Sequence, residues 1–257
     1  MDLGLEGRVA VVSGASKGIG AAIAHELAEN GCSLALCARG PDDLEAFAGS
    51  LRESTGAEVF VGVADVTDPE QVARFEREVA EQFDAVDILV NNAGRSYPGN
   101  FATLTDDDFL NDYTVKGLSH IRMCRAFLPS LRESDAARIV NINSIHGHHA
   151  DARFFTSSVN RAASIAFART LALSLASEGI CVNSVNIGYV LTPQWSNVHK
   201  RIAPEMEADD FFADMGSREV PMRRMGKPEE VAGIVTFLAS PRASYITGAS
   251  IDVGGGQ

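Results

Sequence analysis

The sequence predicts an α/β protein built on one doubly wound parallel sheet of seven strands. Short apolar runs recur along the chain, and helix-like stretches separate them. Continuous apolar strands of this kind are typical of a parallel sheet that helices cover on both faces. The chain has 257 residues, of which 46 % are hydrophobic, and this suits one large core better than two small ones. We therefore expect a single domain over residues 1–257.

Seven segments are predicted as the strands. They are residues 8–13, 33–38, 58–66, 87–94, 138–144, 181–188 and 250–255. Because helix-like stretches connect them, each connection should cross over the sheet and bring in the next strand in parallel.

Two of the connecting helices have clear boundaries. Residues 19–30 predict a helix that ends at Gly31, and residues 69–83 predict a second helix. Asp68 is placed to cap the second helix, with Pro69 at its first position and Gln71 at its third.

Residues 192–220 depart from this alternation, because they hold no strand pattern. They carry several large apolar side chains among many charges, namely Trp195, Phe211, Phe212 and Met215. Two interpretations stay open: a lid that closes over a substrate, or a helical insertion that only covers the subunit surface.

The formal net charge of −12 narrows the class of partner. Binding to nucleic acid phosphates or to an anionic membrane surface needs a basic face, which an acidic chain disfavours. We expect a small-molecule substrate, with no nucleic acid and no membrane as partners.

The cysteines indicate a reducing compartment. They are widely spaced and form no C-x-x-C pair: Cys32, Cys37, Cys124 and Cys181. No basic leader precedes a long apolar stretch, and no segment reaches the roughly 18 apolar residues of a membrane helix. We therefore expect a cytoplasmic protein.

A glycine motif follows the first predicted strand. Gly14, Gly18 and Gly20 lie between this strand and the next helix, where glycines permit a tight turn and a close approach to a pyrophosphate. The segment NNAG (91–94) and Asp65 follow two other strands, at the edge of the sheet where ligands bind.

At this point the sequence resembles the short-chain dehydrogenase/reductase family, whose fold is of the Rossmann type. The resemblance spans nearly the whole chain, from SGASKGIG through NNAG, NSIHG, VNSVNIGYVLTP and RRMGKPEEVA to YITGASIDVGGG. Several motifs in the same order are a specific signal.

The resemblance implies a set of cofactor contacts. The residues that would line the pyrophosphate are Gly14, Ser16, Gly18, Ile19 and Gly20. Those on the adenosine side are Asp65, Val66, Asn92, Ala93 and Gly94, and those near the nicotinamide are Gly188 and Thr192.

The end of the second strand favours NADP(H) over NAD(H). An acidic residue there would bond the ribose 2′-hydroxyl and repel a 2′-phosphate. This chain has Ala38 and Arg39 instead, and Lys17 lies in the glycine loop. A guanidinium fork and an ammonium suit a phosphate monoester. The alternative is that both side chains are solvated surface cations.

The resemblance also implies four catalytic positions, of which the chain keeps one in the usual form. Ser144 matches the family serine, whereas Ser157, Arg161 and Thr114 stand where a tyrosine, a lysine and an asparagine are usual. Arg161 is expected to hold the cofactor ribose with a fixed positive charge. A serine hydroxyl is a far poorer acid than a phenol, so we expect a different proton donor.

His146 and His148 are candidates for that donor, because an imidazole can act as acid or base near neutral pH. If the segment is extended, both point to the same side. The alternatives are a solvated polar loop or a metal site, but only Asp151 is a nearby further ligand, so no metal is predicted.

Three other side chains remain possible at the reacting end. Tyr189 and Tyr97 are candidate phenolic donors, although each is more often a wall of a substrate pocket. Asn111 lies one helical turn before Thr114 and is a candidate replacement for the missing asparagine.

We expect an NADP(H)-dependent oxidoreductase that transfers hydride between nicotinamide and a carbonyl or alcohol. Two alternatives stay open: a non-redox lyase, isomerase or dehalogenase-like enzyme, and a catalytically impaired cofactor-binding protein. By resemblance the protein should be a homotetramer or homodimer that packs helices at about 106–130 and 157–178. The apolar segment SIAFARTLALSLA is consistent with this.

Overall fold

The structure, a computed structural model, describes residues 2–95 and 97–257 and contains a parallel sheet of seven strands. The strands are β1 Val9–Ser13, β2 Ser33–Ala38, β3 Val59–Val63, β4 Ile88–Asn91, β5 Arg138–Ser144, β6 Cys181–Ile187 and β7 Ser250–Val253. Their order across the sheet is β3-β2-β1-β4-β5-β6-β7, so the direction of winding reverses between β1 and β4. The predicted fold class is confirmed.

Helices cover both faces of this sheet. They are α1 Gly18–Glu29, α2 Pro41–Thr55, α3 Pro69–Gln82, α4 Asp106–Tyr113, α5 Ser119–Glu133, α6 Phe155–Leu175, α7 Pro193–Ile202, α8 Ala208–Glu219 and α9 Pro228–Ala239. The predicted cap of α3 is confirmed, because Asp68 Oδ1 accepts hydrogen bonds from the backbone N–H groups of Glu70 at 2.9 Å and Gln71 at 3.3 Å.

The core has two apolar layers, one on each face of the sheet. Ala10 and Val12 of β1 pack with α1, α2 and α9, whereas Val11 points to the other face and packs with α3, α5 and α6. This alternation follows from the two-residue period of a strand. Each leucine buried in these layers, such as Leu27 or Leu131, stabilises the fold by about 1.5–3 kcal/mol.

A π-helical turn, Thr114–Leu118, separates α4 from α5. Such a turn holds an extra residue and shifts the phase of the side chains that follow. Asp112 and Lys116 are four residues apart on one face of this segment. Both lie inside the protein, with 0 % and 1 % of their surface exposed. The turn needs glycine at position 117, because a Cβ there would lie 2.3 Å from Cε2 of Tyr113.

Residues 192–220 contribute the two helices α7 and α8 and no strand within the described chain. Trp195 of α7 and Phe212 of α8 pack against a small buried cluster of Tyr189, Val220 and Met225. No helix in the described ranges is long and apolar enough to cross a lipid bilayer.

Candidate active site

A cavity of about 470 Å³ lies at the carboxyl ends of the strands, beside the point where winding reverses. All the predicted cofactor residues line it except Gly20. All the predicted catalytic residues line it except His148. The topology of the sheet therefore brings together residues that lie far apart in the sequence.

The glycine loop forms one end of the cavity and requires its glycines. Gly14 has a φ of +67°, and a Cβ there would lie 2.9 Å from Cα of Ala93. A Cβ at Gly20 would lie 2.3 Å from the backbone oxygen of Gly14, so Gly20 lets α1 approach the loop although it does not line the cavity. Lys17 occupies the N-cap position of α1, but its side chain makes no capping hydrogen bond. The first N–H groups of the helix are therefore open to an anion. These features fit the pyrophosphate of a dinucleotide.

The adenosine side of the cavity carries both acidic and basic groups. Asp65 Oδ1 accepts hydrogen bonds from N–H and Oγ1 of Thr67, at 2.8 and 2.7 Å. Lys17 Nζ lies 3.3 Å from Oδ2 of Asp43, and both side chains are well exposed. Arg39 also lines the cavity, and no carboxylate within residues 2–95 and 97–257 forms an ion pair with it.

The reacting end contains a lysine that the sequence interpretation missed. Lys116 lines the cavity, and its Nζ donates a hydrogen bond to Ser157 Oγ at 2.6 Å. The same ammonium lies 2.6 Å from Oδ1 of Asp112, one helical turn earlier. Asn160 of α6 donates to the other carboxylate oxygen at 3.0 Å and so holds Asp112 in place.

The surroundings of Lys116 lower its pKa to about 8. Burial is the main cause, because it disfavours the charged form, and the positive charge of Arg161 adds to it. Asp112 acts in the opposite direction. An amine with such a pKa can donate a proton near neutral pH and can accept one slightly above it.

Arg161 lies one turn after Ser157 on α6 and faces the cavity, as predicted. Its Nη1 donates to the backbone oxygen of Ile142 at 2.9 Å and to Oδ1 of Asn143 at 3.3 Å. Burial lowers the pKa of the guanidinium to about 10, so Arg161 stays charged at neutral pH.

Comparison with known proteins agrees with this architecture. A family model described as enoyl-(acyl carrier protein) reductase matches residues 14–257. The chain belongs to the short-chain dehydrogenase/reductase family. One relative in this family, the oxidoreductase UcpA of Escherichia coli K12, is 35 % identical over 256 residues, which cover 98 % of this chain and 95 % of UcpA.

Two solved structures of the short-chain dehydrogenase/reductase family are especially similar. L-Sorbose reductase from Gluconobacter frateurii, complexed with NADPH and L-sorbose, is 33 % identical, with a TM-score of 0.96 over 100 % of this chain and 98 % of the reductase. A short-chain oxidoreductase from Pseudomonas aeruginosa PAO1, described as containing an atypical catalytic center, is 37 % identical. Its TM-score is 0.93 over 100 % of this chain and 98 % of the oxidoreductase.

The two candidate histidines lie in different places within this family fold. His146 lines the cavity and stacks on Phe154, with ring centroids 4.8 Å apart. Burial lowers the pKa of His146 below its ordinary value, so its ring is mainly neutral at pH 7. His148 lies outside the cavity, where its Nδ1 is 3.0 Å from Oδ1 of Asp252.

The prediction of His148 as a catalytic residue is therefore corrected. It assumed an extended segment, whereas Ile145–Gly147 form a 3₁₀ turn that directs His146 and His148 to different sides. Ser250 Oγ, at 3.2 Å from His148 Nε2, also holds this ring. Among the residues that the structure describes, no group of three or more His, Cys, Asp or Glu side chains is arranged to hold a metal ion.

The remaining candidates differ in position. Tyr189 lines the cavity and packs on Trp195, with ring centroids 5.0 Å apart. Tyr97 does not line it, and its hydroxyl donates to Asp108. Asn111 is exposed and also lies outside the cavity, so the idea that it replaces the missing asparagine is corrected.

Proposed function

We propose that the protein is an NADP(H)-dependent oxidoreductase that interconverts a carbonyl compound and an alcohol, with Lys116 as the proton donor. The observation that carries this proposal is the buried ammonium of Lys116, 2.6 Å from the hydroxyl of Ser157. A proton donor at this position makes the missing tyrosine unnecessary.

Two features support NADP(H) as the cofactor. Arg39 and Lys17 offer a guanidinium and an ammonium at the adenosine side of the cavity, where a 2′-phosphate would need them. The solved L-sorbose reductase and the P. aeruginosa oxidoreductase are both described with NADPH bound.

The side chains at the usual catalytic positions support the proposal of a non-standard donor. Ser157 and Arg161 occupy the positions of the tyrosine and lysine that the family resemblance implies. A serine hydroxyl is too weak an acid to replace a phenol, but it can pass on a proton that a neighbouring acid supplies. The description of the P. aeruginosa relative as having an atypical catalytic center is consistent with a departure of this kind.

The proposed reaction moves one proton and one hydride. When bound, the nicotinamide supplies the hydride for reduction or accepts it in oxidation. In reduction, Ser144 and Ser157 donate hydrogen bonds to the carbonyl oxygen and orient it. Lys116 gives its proton to that oxygen through the Ser157 hydroxyl, and Asp112 keeps the lysine in reach. Arg161 holds a positive charge beside the developing oxyanion.

Lys116 is a better donor than His146 for two reasons. The ammonium carries the proton at neutral pH, whereas the half-buried imidazole of His146 is mainly neutral. Lys116 also contacts Ser157, whereas His146 stacks on Phe154. We assign His146 to the wall of the substrate pocket.

The test is NADPH oxidation with a panel of ketones and quinones, after calorimetry has established cofactor binding. Lys116→Met should lower kcat by about 10²- to 10⁴-fold, the usual contribution of a positioned proton donor. The exposed lysine of α7 supplies a matched control, Lys200→Met, which should leave kcat unchanged. Binding of NADPH without turnover of any carbonyl compound would instead favour the impaired cofactor-binding protein.

The pH dependence separates the two candidate donors. Reduction needs protonated Lys116, so its rate should fall as pH rises through about 8, and alcohol oxidation should rise there. A histidine donor would place the change below pH 7 instead.

We also propose that α7 and α8 act as a substrate lid, and that the protein is a cytoplasmic homotetramer or homodimer. Trp195 of α7 lines the cavity, which supports the lid. The guanidinium of Arg153 holds the end of α8 through hydrogen bonds to the carboxylate of Glu219, at 2.9 and 3.0 Å.

The four cysteines are free and buried, which supports a reducing compartment such as the cytoplasm. Exposed Val159 and Leu173 on α6 support an interface between subunits.

A further inference from the structure

The reacting end of the cavity is rich in positive charge. Three cationic side chains line it: Arg95, Lys116 and Arg161. The acidic residues that line the cavity within the described chain, Asp43 and Asp65, lie beyond β2 and β3 on the adenosine side. Asp112, behind Lys116, offsets one of the three charges. An excess of positive charge therefore faces the place of the substrate.

Arg95 differs from the other two cations because no hydrogen bond or ion pair holds its guanidinium to any residue in the described part of the chain. Lys116 is bound to Ser157 and Asp112, and Arg161 is bound to backbone and amide oxygens of β5. The guanidinium of Arg95 lies over the ring of Tyr97, 5.6 Å from its centroid. Throughout residues 2–95 and 97–257, no carboxylate forms an ion pair with Arg95.

Arg95 also lies close to the reacting groups. It directly follows Gly94, where a Cβ would lie only 3.1 Å from Nη2 of Arg161. Its charge is one of the influences that lower the pKa of Lys116. Arg39 and Lys17, by contrast, lie at the ends of β2 and the glycine loop. Arg95 is thus placed for a group on the substrate rather than for the cofactor phosphates.

The walls of the same end are aromatic. His146 stacks on Phe154 with an angle of 17° between the rings, and Tyr189 packs on Trp195. All four side chains line the cavity. Flat aromatic walls of this kind bind flat, apolar groups well.

We propose that Arg95 binds a carboxylate of the substrate, so that the preferred substrates are oxo acids with a flat apolar body. A guanidinium binds a carboxylate through two parallel hydrogen bonds, and this fixes the orientation of the carbonyl as well. The inference rests on the proposed function. In the reaction, hydride adds to the carbonyl carbon, the proton of Lys116 adds to the oxygen, and the nicotinamide is oxidised. The oxo acid becomes a hydroxy acid.

The experiment compares phenylglyoxylate with its methyl ester, which keeps the ring and the ketone but lacks the negative charge. Isothermal titration calorimetry measures the binding of each compound to the protein saturated with NADP⁺. The wild type should bind the acid at least about tenfold more tightly than the ester. Arg95→Gln should remove this preference and leave the affinities for the ester and for NADP⁺ within about twofold.

Arg77→Gln is the matched control, because this exposed arginine of α3 does not line the cavity. It should behave as the wild type in every titration. Equal binding of acid and ester by the wild type would overturn the inference, and so would an equal loss of both in Arg95→Gln. A loss of NADP⁺ affinity in Arg95→Gln would assign Arg95 to the cofactor and also overturn it. If the wild type does not bind NADP⁺ at all, the proposed function fails first, and the inference falls with it.

Discussion

Asp112 controls the charge of Lys116, so removing its carboxylate should change the pH dependence of reduction. In Asp112→Asn, burial and Arg161 still lower the pKa of Lys116, but the ion pair that raises it is gone. An amine with a pKa of about 8 is about nine-tenths protonated at pH 7, whereas one with a pKa of about 6 is only about one-tenth protonated. A decrease of two units would therefore lower the reduction rate at pH 7 by about tenfold.

The assay is kcat for NADPH-dependent reduction, measured from about pH 5.5 to about pH 9.5. The wild-type rate should fall as pH rises through about 8. For Asp112→Asn, the midpoint of this decrease should lie at least one pH unit lower, and the rate should return to the wild-type value at acid pH. Thermal unfolding checks that the variant is folded, since the new amide oxygen can still accept the hydrogen bond of Asn160.

The matched control is Asp107→Asn, which removes an exposed carboxylate from the same helix. It should leave the pH dependence unchanged. If the midpoint for Asp112→Asn stays at the wild-type value or moves to higher pH, Lys116 is not the group that titrates.

Three further results are expected. Because burial lowers the pKa of Lys116 from 10.5 to about 8, the unfolded chain holds this proton more tightly. The unfolding free energy, relative to the Asp112→Asn/Lys116→Met double variant, should therefore rise by about 3 kcal/mol from pH 8 to 10.5 in urea titrations. Gly20→Ala should weaken NADPH binding at least about tenfold by calorimetry, because its Cβ would meet the glycine loop at 2.3 Å, whereas Gly49→Ala meets open space. Arg39→Gln should raise KM for NADPH about tenfold and barely change KM for NADH.

Each of these results has a clear contrary outcome. If the difference in unfolding free energy between the wild type and the double variant does not change between pH 8 and 10.5, the pKa of Lys116 is not lowered in the folded protein. Equal NADPH binding by Gly20→Ala and wild type would show that the loop tolerates a side chain. An equal rise of KM for NADPH and KM for NADH in Arg39→Gln would show that Arg39 does not bind the 2′-phosphate.

The fold could be predicted because local patterns and global topology agree. The apolar runs that mark the strands lie within one or two residues of the observed β1, β2 and β5. The helix cap formed by Asp68 could be predicted because it depends on residues at most three positions apart in the sequence. The glycine loop could also be predicted from local sequence, because its backbone geometry needs glycine at fixed spacings.

The reacting end could be predicted only in part. Ser144, Ser157 and Arg161 were found by counting along a motif, and all three line the cavity. Lys116 was missed because its role depends on Ser157, which lies on α6 and is 41 residues away in the sequence. The sequence alone does not show that these two helical segments pack together. His148 was misplaced because the alternation rule holds for a strand and fails in a 3₁₀ turn.

The short distance between Lys116 and Ser157 restricts how this pocket can change during evolution. A tyrosine at position 157 would push its ring toward the volume that the ammonium fills, since Nζ lies only 2.6 Å from the serine oxygen. Ser157→Tyr alone would therefore set a bulky ring against a buried cation. In the proposed mechanism, a change from a lysine donor to a tyrosine donor therefore requires paired replacements at positions 116 and 157. Either single substitution would give an unfavourable intermediate, and this would hinder replacement of the proposed lysine donor.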